Sequence, residues 1–215
     1  MTFVSALVFV AFGLCVVYTV FGCSCIPYPM HRQKLYCEND IVFIGKIKKV
    51  FPPASMGDDL VYRVRVKRIF KGSCKDVIMV NTPASDSLCG ITNLVKGEQY
   101  LITAKGNKGT YRISLCQSLI LKKDSVTNKV KRMYNSKRPK SFPGLDERNC
   151  NCTIKYCGET KEECGTVLPK TCVYYGGNSN IQCYNKLRCI PSSSGNSCRW
   201  SAFNCGGPGG IITSG

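Results

Sequence analysis

Val61-Tyr62-Arg63-Val64-Arg65-Val66-Lys67-Arg68-Ile69 alternates Val64 and Val66 with Arg63, Arg65 and Lys67. Alternate side chains of an extended chain face opposite ways, so a period of two predicts a half-buried β-strand. Upstream, Ile41 to Val50 opens as an apolar run and then alternates with Lys46 and Lys48. Downstream, Val77 to Val80, Tyr100 to Ala104 and Tyr111 to Leu115 are three further strand candidates. Turn-forming stretches separate most of them: Pro52 to Asp59, Lys71-Gly72-Ser73, and Lys105-Gly106-Asn107-Lys108-Gly109.

Helical signals flank this block. His31 to Asn39 reads as a short helix, and Val126, Val130, Met133 and Tyr134 fall at helical spacing behind an Asp124-Ser125 cap. The fold class is mainly β with flanking helices. Five short strands suit a small closed barrel of the OB type, although the pattern alone leaves a sandwich open.

Residues 1–22 carry no charge, and Val20-Phe21-Gly22 puts small residues at the two positions that a signal peptidase reads. The stretch approaches the length of a membrane span, but no basic cluster follows it and a dense cysteine framework begins at once. Cleavage after Gly22 is expected, for a secreted protein of the extracellular space or matrix with no membrane insertion.

Of 16 cysteines, Cys15 lies in the leader, so an odd number remains and at least one is unpaired or bonded to another chain. The chain has one histidine and no C-x₂-C pair, which argues for disulfides over intracellular zinc sites. Without HExxH, and with only His31 to offer a catalytic triad, an enzyme is not expected. The formal net charge of +17 would suggest nucleic acid for a cytosolic chain. For an exported one it points instead to sulphated glycosaminoglycans or acidic matrix.

The texture changes along the chain. Residues 23–150 hold the strand pattern, and the Pro- and Lys-rich Ser136 to Gly144 marks the approach to a boundary. Cysteines crowd residues 151–205, and residues 206–215 read as a flexible Gly-rich tail.

Four anchors then stand in order: Cys23-Ser24-Cys25-Ile26-Pro27; Thr82-Pro83-Ala84-Ser85-Asp86-Ser87-Leu88-Cys89-Gly90; Cys150-Asn151-Cys152 with Cys157; and Cys189 followed by Ser197-Cys198-Arg199-Trp200. Together they resemble the tissue inhibitors of metalloproteinases, across essentially the whole mature chain. The resemblance implies a netrin-like domain with an OB barrel and a smaller cysteine-rich domain. It implies the bridges Cys23–Cys89, Cys25–Cys116, Cys37–Cys150, Cys152–Cys198, Cys157–Cys164 and Cys172–Cys189. Cys183–Cys205 is then the expected additional bridge, which leaves Cys74 unpaired. The short neutral tail departs from relatives in which a charged tail helps to dock a protease.

In that family the exposed amino terminus inhibits by chelation. The α-amino nitrogen and carbonyl oxygen of Cys23 would ligate the catalytic zinc of the target, displacing its water; the inhibitor needs no cofactor of its own. Ser24 would enter the specificity pocket, Cys25, Ile26 and Pro27 would continue the edge, and Ser85, Asp86, Ser87 and Leu88 would lie beside it. The implied partners are secreted or membrane-bound zinc metalloproteinases of the matrix or adamalysin type. A rival reading is a non-inhibitory netrin-like protein that binds glycosaminoglycans through Lys46, Lys48, Arg63, Arg65 and Lys67.

Plainer readings attach to other residues. The serines of the edge also suit ordinary turns, His31 reads as a solvated helix residue, and Trp200 as core of the small domain. Asn151-Cys152-Thr153 fits the glycosylation sequon, but a bridge at Cys152 argues against its use.

Overall fold

The computed structural model describes residues 22–25, 30–125, 147–157, 164–175, 187–201 and 212–214. Its first element is the helix α1, Arg32–Glu38. Five strands follow: β1 Ile41–Phe51, β2 Asp59–Lys71, β3 Val77–Pro83, β4 Gln99–Asn107 and β5 Thr110–Arg112. They pair in the order β1-β2-β3-β5-β4, and β4 returns to β1, so the sheet closes on itself. The β3–β5 contact is parallel and the others are antiparallel. This is the expected five-stranded barrel, and closure removes the free edges that an open sandwich would leave. A short strand β6, Ile120–Lys122, that the periodicity did not single out is added on β4.

The apolar run opening β1 is buried on both faces. Ile41, Phe43 and Ile47 point into the barrel with Tyr62, Val64 and Ile102, while Val42 and Ile44 pack outside it against Tyr36 of α1 and Leu101. Each such side chain contributes about 1.5–3 kcal/mol by leaving water. The β1–β2 register slips between Ile47 and Lys49, so Lys46 opposes Arg65 and Lys49 opposes Arg63, with Lys48 at the bulge.

The ends of α1 are held by side chains. His31 caps the amino end, where its Nδ1 accepts from the Gln33 N–H at 3.1 Å. Lys71 Nζ donates to the carbonyls of Tyr36, Cys37 and Asn39 at 2.6–3.0 Å, closing the other end. His31 is not solvated as its sequence context suggested. It is 1 % exposed, with its ring 5.7 Å from that of Trp200. The second helical signal, residues 126–134, and the boundary stretch Ser136 to Gly144 lie outside the described residues.

The cysteine-rich region contains β7 Thr153–Cys157 and β8 Thr171–Tyr175, paired in parallel, and a ribbon of β9 Cys189–Pro191 with β10 Cys198–Trp200. Trp200 is buried there, and its Nε1 donates to the Val173 carbonyl at 2.8 Å. Within the tail expected to be flexible, β11 Ile212–Ser214 runs antiparallel to β8. The segment follows the glycines with β-branched residue types, which favour extended backbone. Among the described residues no helix is long and apolar enough to cross a membrane.

Candidate functional site

Two disulfides tie the start of the described chain to the barrel: Cys23–Cys89 and Cys25–Cys116. The bridges lie side by side, with sulfurs of Cys23 and Cys116 3.8 Å apart and those of Cys116 and Cys89 3.6 Å apart. All four sulfurs fall within 4.8 Å of one another, a spacing that would also suit a metal. Each is spent on an S–S bond, however, and a thiolate is what a metal needs. Between the bridges Ser24 is exposed, as is Gly22 before them. Ile26 and Pro27 lie outside the described residues.

The loop carrying Cys89 is pinched shut. Asp86–Leu88 forms a single 3₁₀ turn in which the Leu88 N–H donates to the Ser85 carbonyl at 3.1 Å and the Gly90 N–H to the same oxygen at 2.9 Å. At Gly90 a Cβ would stand 2.0 Å from the Pro83 carbonyl oxygen, so no other residue fits the neck unless the loop opens. The Thr92 hydroxyl donates to Asp86 at 2.7 Å, and the Ser85 and Ser87 hydroxyls are bonded to each other. Leu88 projects with 64 % of its surface exposed. The Leu115 N–H donates to the Cys89 carbonyl at 2.9 Å and thereby joins the two bridge-bearing segments.

Support comes from below. Tyr62, in the barrel wall, donates its hydroxyl to the Ile91 carbonyl at 2.8 Å, and the Ile91 N–H donates to the Thr82 hydroxyl at 2.9 Å. Burial pushes the Tyr62 phenol above its ordinary range, against the lowering effect of a backbone hydrogen bond from Leu94.

The remaining bridges are Cys37–Cys150, Cys152–Cys198, Cys157–Cys164 and Cys172–Cys189. Cys150 thus ties back to α1 while Cys152, two residues on, ties forward. Cys183 and Cys205 lie outside the described residues. Among the described residues Cys74 is the free cysteine. It is partly covered, and burial together with the charge of Asp76 pushes its thiol up, which suppresses the reactive thiolate.

A residue that the sequence did not flag joins the two regions. Gln33 Nε2 donates to the carbonyls of Asn149 at 3.0 Å and Cys189 at 2.8 Å, and its Oε1 accepts from the Cys189 N–H at 2.9 Å.

On the outer barrel wall Arg63, Arg65, Lys67 and Lys48 are exposed and Lys46 is partly so. Neighbouring Lys49 and Arg68 extend this face and lie over the rings of Phe51 and Phe70 at 4.6 and 5.0 Å. Among the described residues none of these seven cations forms a salt bridge.

Comparison with known proteins finds relatives of this chain. Metalloproteinase inhibitor 3 of Xenopus laevis is 32 % identical over 140 residues, covering 63 % of this chain and 60 % of its own length. Metalloproteinase inhibitor 3 of Scyliorhinus torazame is 30 % identical over the same shares of each chain. The chain therefore spans 60 % of the length of these two relatives. Metalloproteinase inhibitor 2 of Canis lupus familiaris is 26 % identical over 193 residues, 83 % of this chain and 81 % of its own length. The sequence profile described as "Tissue inhibitor of metalloproteinase" matches residues 22–200, most of the chain, and the protein belongs to that family.

Proposed function

We propose that this chain is a secreted inhibitor of zinc metalloproteinases of the matrix or adamalysin type, acting through the terminus that cleavage after Gly22 would expose. The observation that carries the reading is the double clamp, Cys23 to Cys89 and Cys25 to Cys116, with exposed Ser24 between. A free α-amino group has a reference pKa of about 7.7–8.0, so a substantial neutral fraction exists at physiological pH. A neutral amine ligates zinc at roughly 2.0–2.1 Å, and the Cys23 carbonyl is one peptide unit away to close a chelate ring. The target loses the position that its water needs. Because the bridges hold the segment beforehand, little ordering entropy opposes binding. Ser24 offers a small side chain to the specificity pocket, and Ser85 to Leu88, with Ile26 and Pro27, widen the contact.

The test is to add one alanine before Cys23, leaving every side chain and bridge in place. The amine becomes an amide whose lone pair is delocalised, and inhibition of a matrix metalloproteinase should fall by orders of magnitude while the fold persists. Undiminished inhibition would rule out chelation by Cys23.

A second activity is favoured by one observation. Like charges directly across a strand pair are destabilising, yet Lys46 faces Arg65 and Lys49 faces Arg63. A sulphated polysaccharide would relieve that repulsion, with an affinity falling steeply as salt screens it. Heparin retention at physiological salt should drop when Lys46, Lys48, Arg63, Arg65 and Lys67 become glutamine; unchanged retention would place the site elsewhere.

A further inference from the structure

Asn151-Cys152-Thr153 is the one Asn-x-Ser/Thr sequence in the chain. Cys152 is buried, at 5 % exposure, whereas Asn151 and Thr153 on either side of it are exposed. Asn151 ends the 3₁₀ segment Glu147–Asn151 and Thr153 opens β7. Neither the Asn151 amide nor the Thr153 hydroxyl has a hydrogen-bond partner among the described residues. The fold therefore turns the middle residue of the sequon inward and leaves both recognition groups in solvent.

We propose that Asn151 carries an N-linked glycan, an inference that rests on the secreted reading of the chain. The bridge Cys152–Cys198 would block the sequon only if it closed before sugar transfer. Its partner lies 46 residues further along the chain. At about 5–20 residues per second, the usual pace of synthesis, Cys198 follows on the order of seconds later, so Asn151 meets the transferase while Cys152 is still a thiol. Transfer forms a bond from Asn151 Nδ2 to C1 of the first sugar of a lipid-diphosphate-linked oligosaccharide. The C1–O bond breaks, the lipid diphosphate leaves with its electron pair, and the amide loses a proton to a carboxylate of the transferase. The later bridge then closes beneath the glycan, which the outward Asn151 accommodates without moving the buried sulfur.

The full chain would be made in secretory cells in two versions, one with its own leader and one with the leader of an unrelated secreted protein. Each would be digested with peptide N-glycosidase. The expected result is a single downward mobility step with aspartate left at position 151, lost completely in Asn151→Gln and in Thr153→Ala. Cys198→Ser should keep the step, and cell lysate serves for any variant that is not released, because transfer precedes folding. A step seen only with the replacement leader would support the glycan while sinking the secreted reading. Absence of the step with both leaders would overturn the proposal, and so would a step that appears only in Cys198→Ser.

Discussion

Gln33 and Cys189 form a closed pair: the glutamine amide donates to the Cys189 carbonyl at 2.8 Å and accepts from its N–H at 2.9 Å, as a neighbouring β-strand would. Gln33 sits in the first turn of α1 and Cys189 begins β9, 156 residues away. The pair is buried, so its polar groups have no water to fall back on.

Replacing Gln33 with alanine strands the Cys189 N–H and carbonyl, at about 1–3 kcal/mol for a buried group left unpaired, while the Asn149 carbonyl keeps the Cys152 N–H at 3.2 Å. We expect a loss of about 2–4 kcal/mol, with the cysteine-rich region released before the barrel melts. Urea unfolding followed by circular dichroism should turn from one transition to two. A variant within about 0.5 kcal/mol of the parent, with one transition, would show that the pair contributes nothing to the junction.

At Gly90 the obstacle is the Pro83 carbonyl, 2.0 Å from where a Cβ would sit. Gly90→Ala must open the neck of the loop and displace Ser85 to Leu88 relative to Cys23. The proposed inhibitory contact should weaken at least about tenfold, which is about 1.4 kcal/mol, while the barrel keeps its spectrum. Unaltered inhibition constants would remove the loop from the contact.

For Tyr62 the direction of the shift fixes the pH dependence. Its folded-state value is raised, chiefly by burial. Its contribution is therefore complete below the ordinary tyrosine value of about 10 and is lost as pH climbs through the folded value. Tyr62→Phe should begin about 1 kcal/mol less stable through the lost hydrogen bond. The gap to the parent should then close in the alkaline range. Tyr111 and Cys74 shift the same way and leave a residual slope in both proteins. Parallel stability curves up to high pH would refute the assignment.

Cys74 is expected to react sluggishly. A maleimide titration of the folded protein near neutral pH should label it well below the rate of a free thiol, and the rate should rise only above the usual thiol range. Rapid labelling at neutral pH would mean that the site opens more than its burial implies.

The alternation of Val61 to Ile69 and its neighbours made all five barrel strands legible, because a half-buried strand writes its two faces into the sequence. Closure was not legible, since it depends on β4 meeting β1 and on a parallel β3–β5 contact between residues far apart in the chain. Nor was the bulge at Lys48, because it shifts the alternation by one residue inside a run of basic side chains. His31 and Gln33 were misread or missed for a common reason. Polar residues beside Arg32 and Lys34 look like a solvated helical turn, and it takes the distant β9–β10 ribbon and the segment Glu147–Asn151 to cover them. Spacing alone left the cysteine pairing open, and family resemblance supplied it.

Trp200 is the single tryptophan of the chain, and its ring neighbours those of His31 and Tyr174, with centroids 5.7 and 6.3 Å away. Its indole is buried and donates to a backbone carbonyl, so its emission should be blue and insensitive to soluble quenchers. Separation of the cysteine-rich region from α1 would take away the imidazole while leaving Tyr174 in place. The molecule thus has a built-in optical gauge at the junction of its two regions, readable in the protein itself with no label attached.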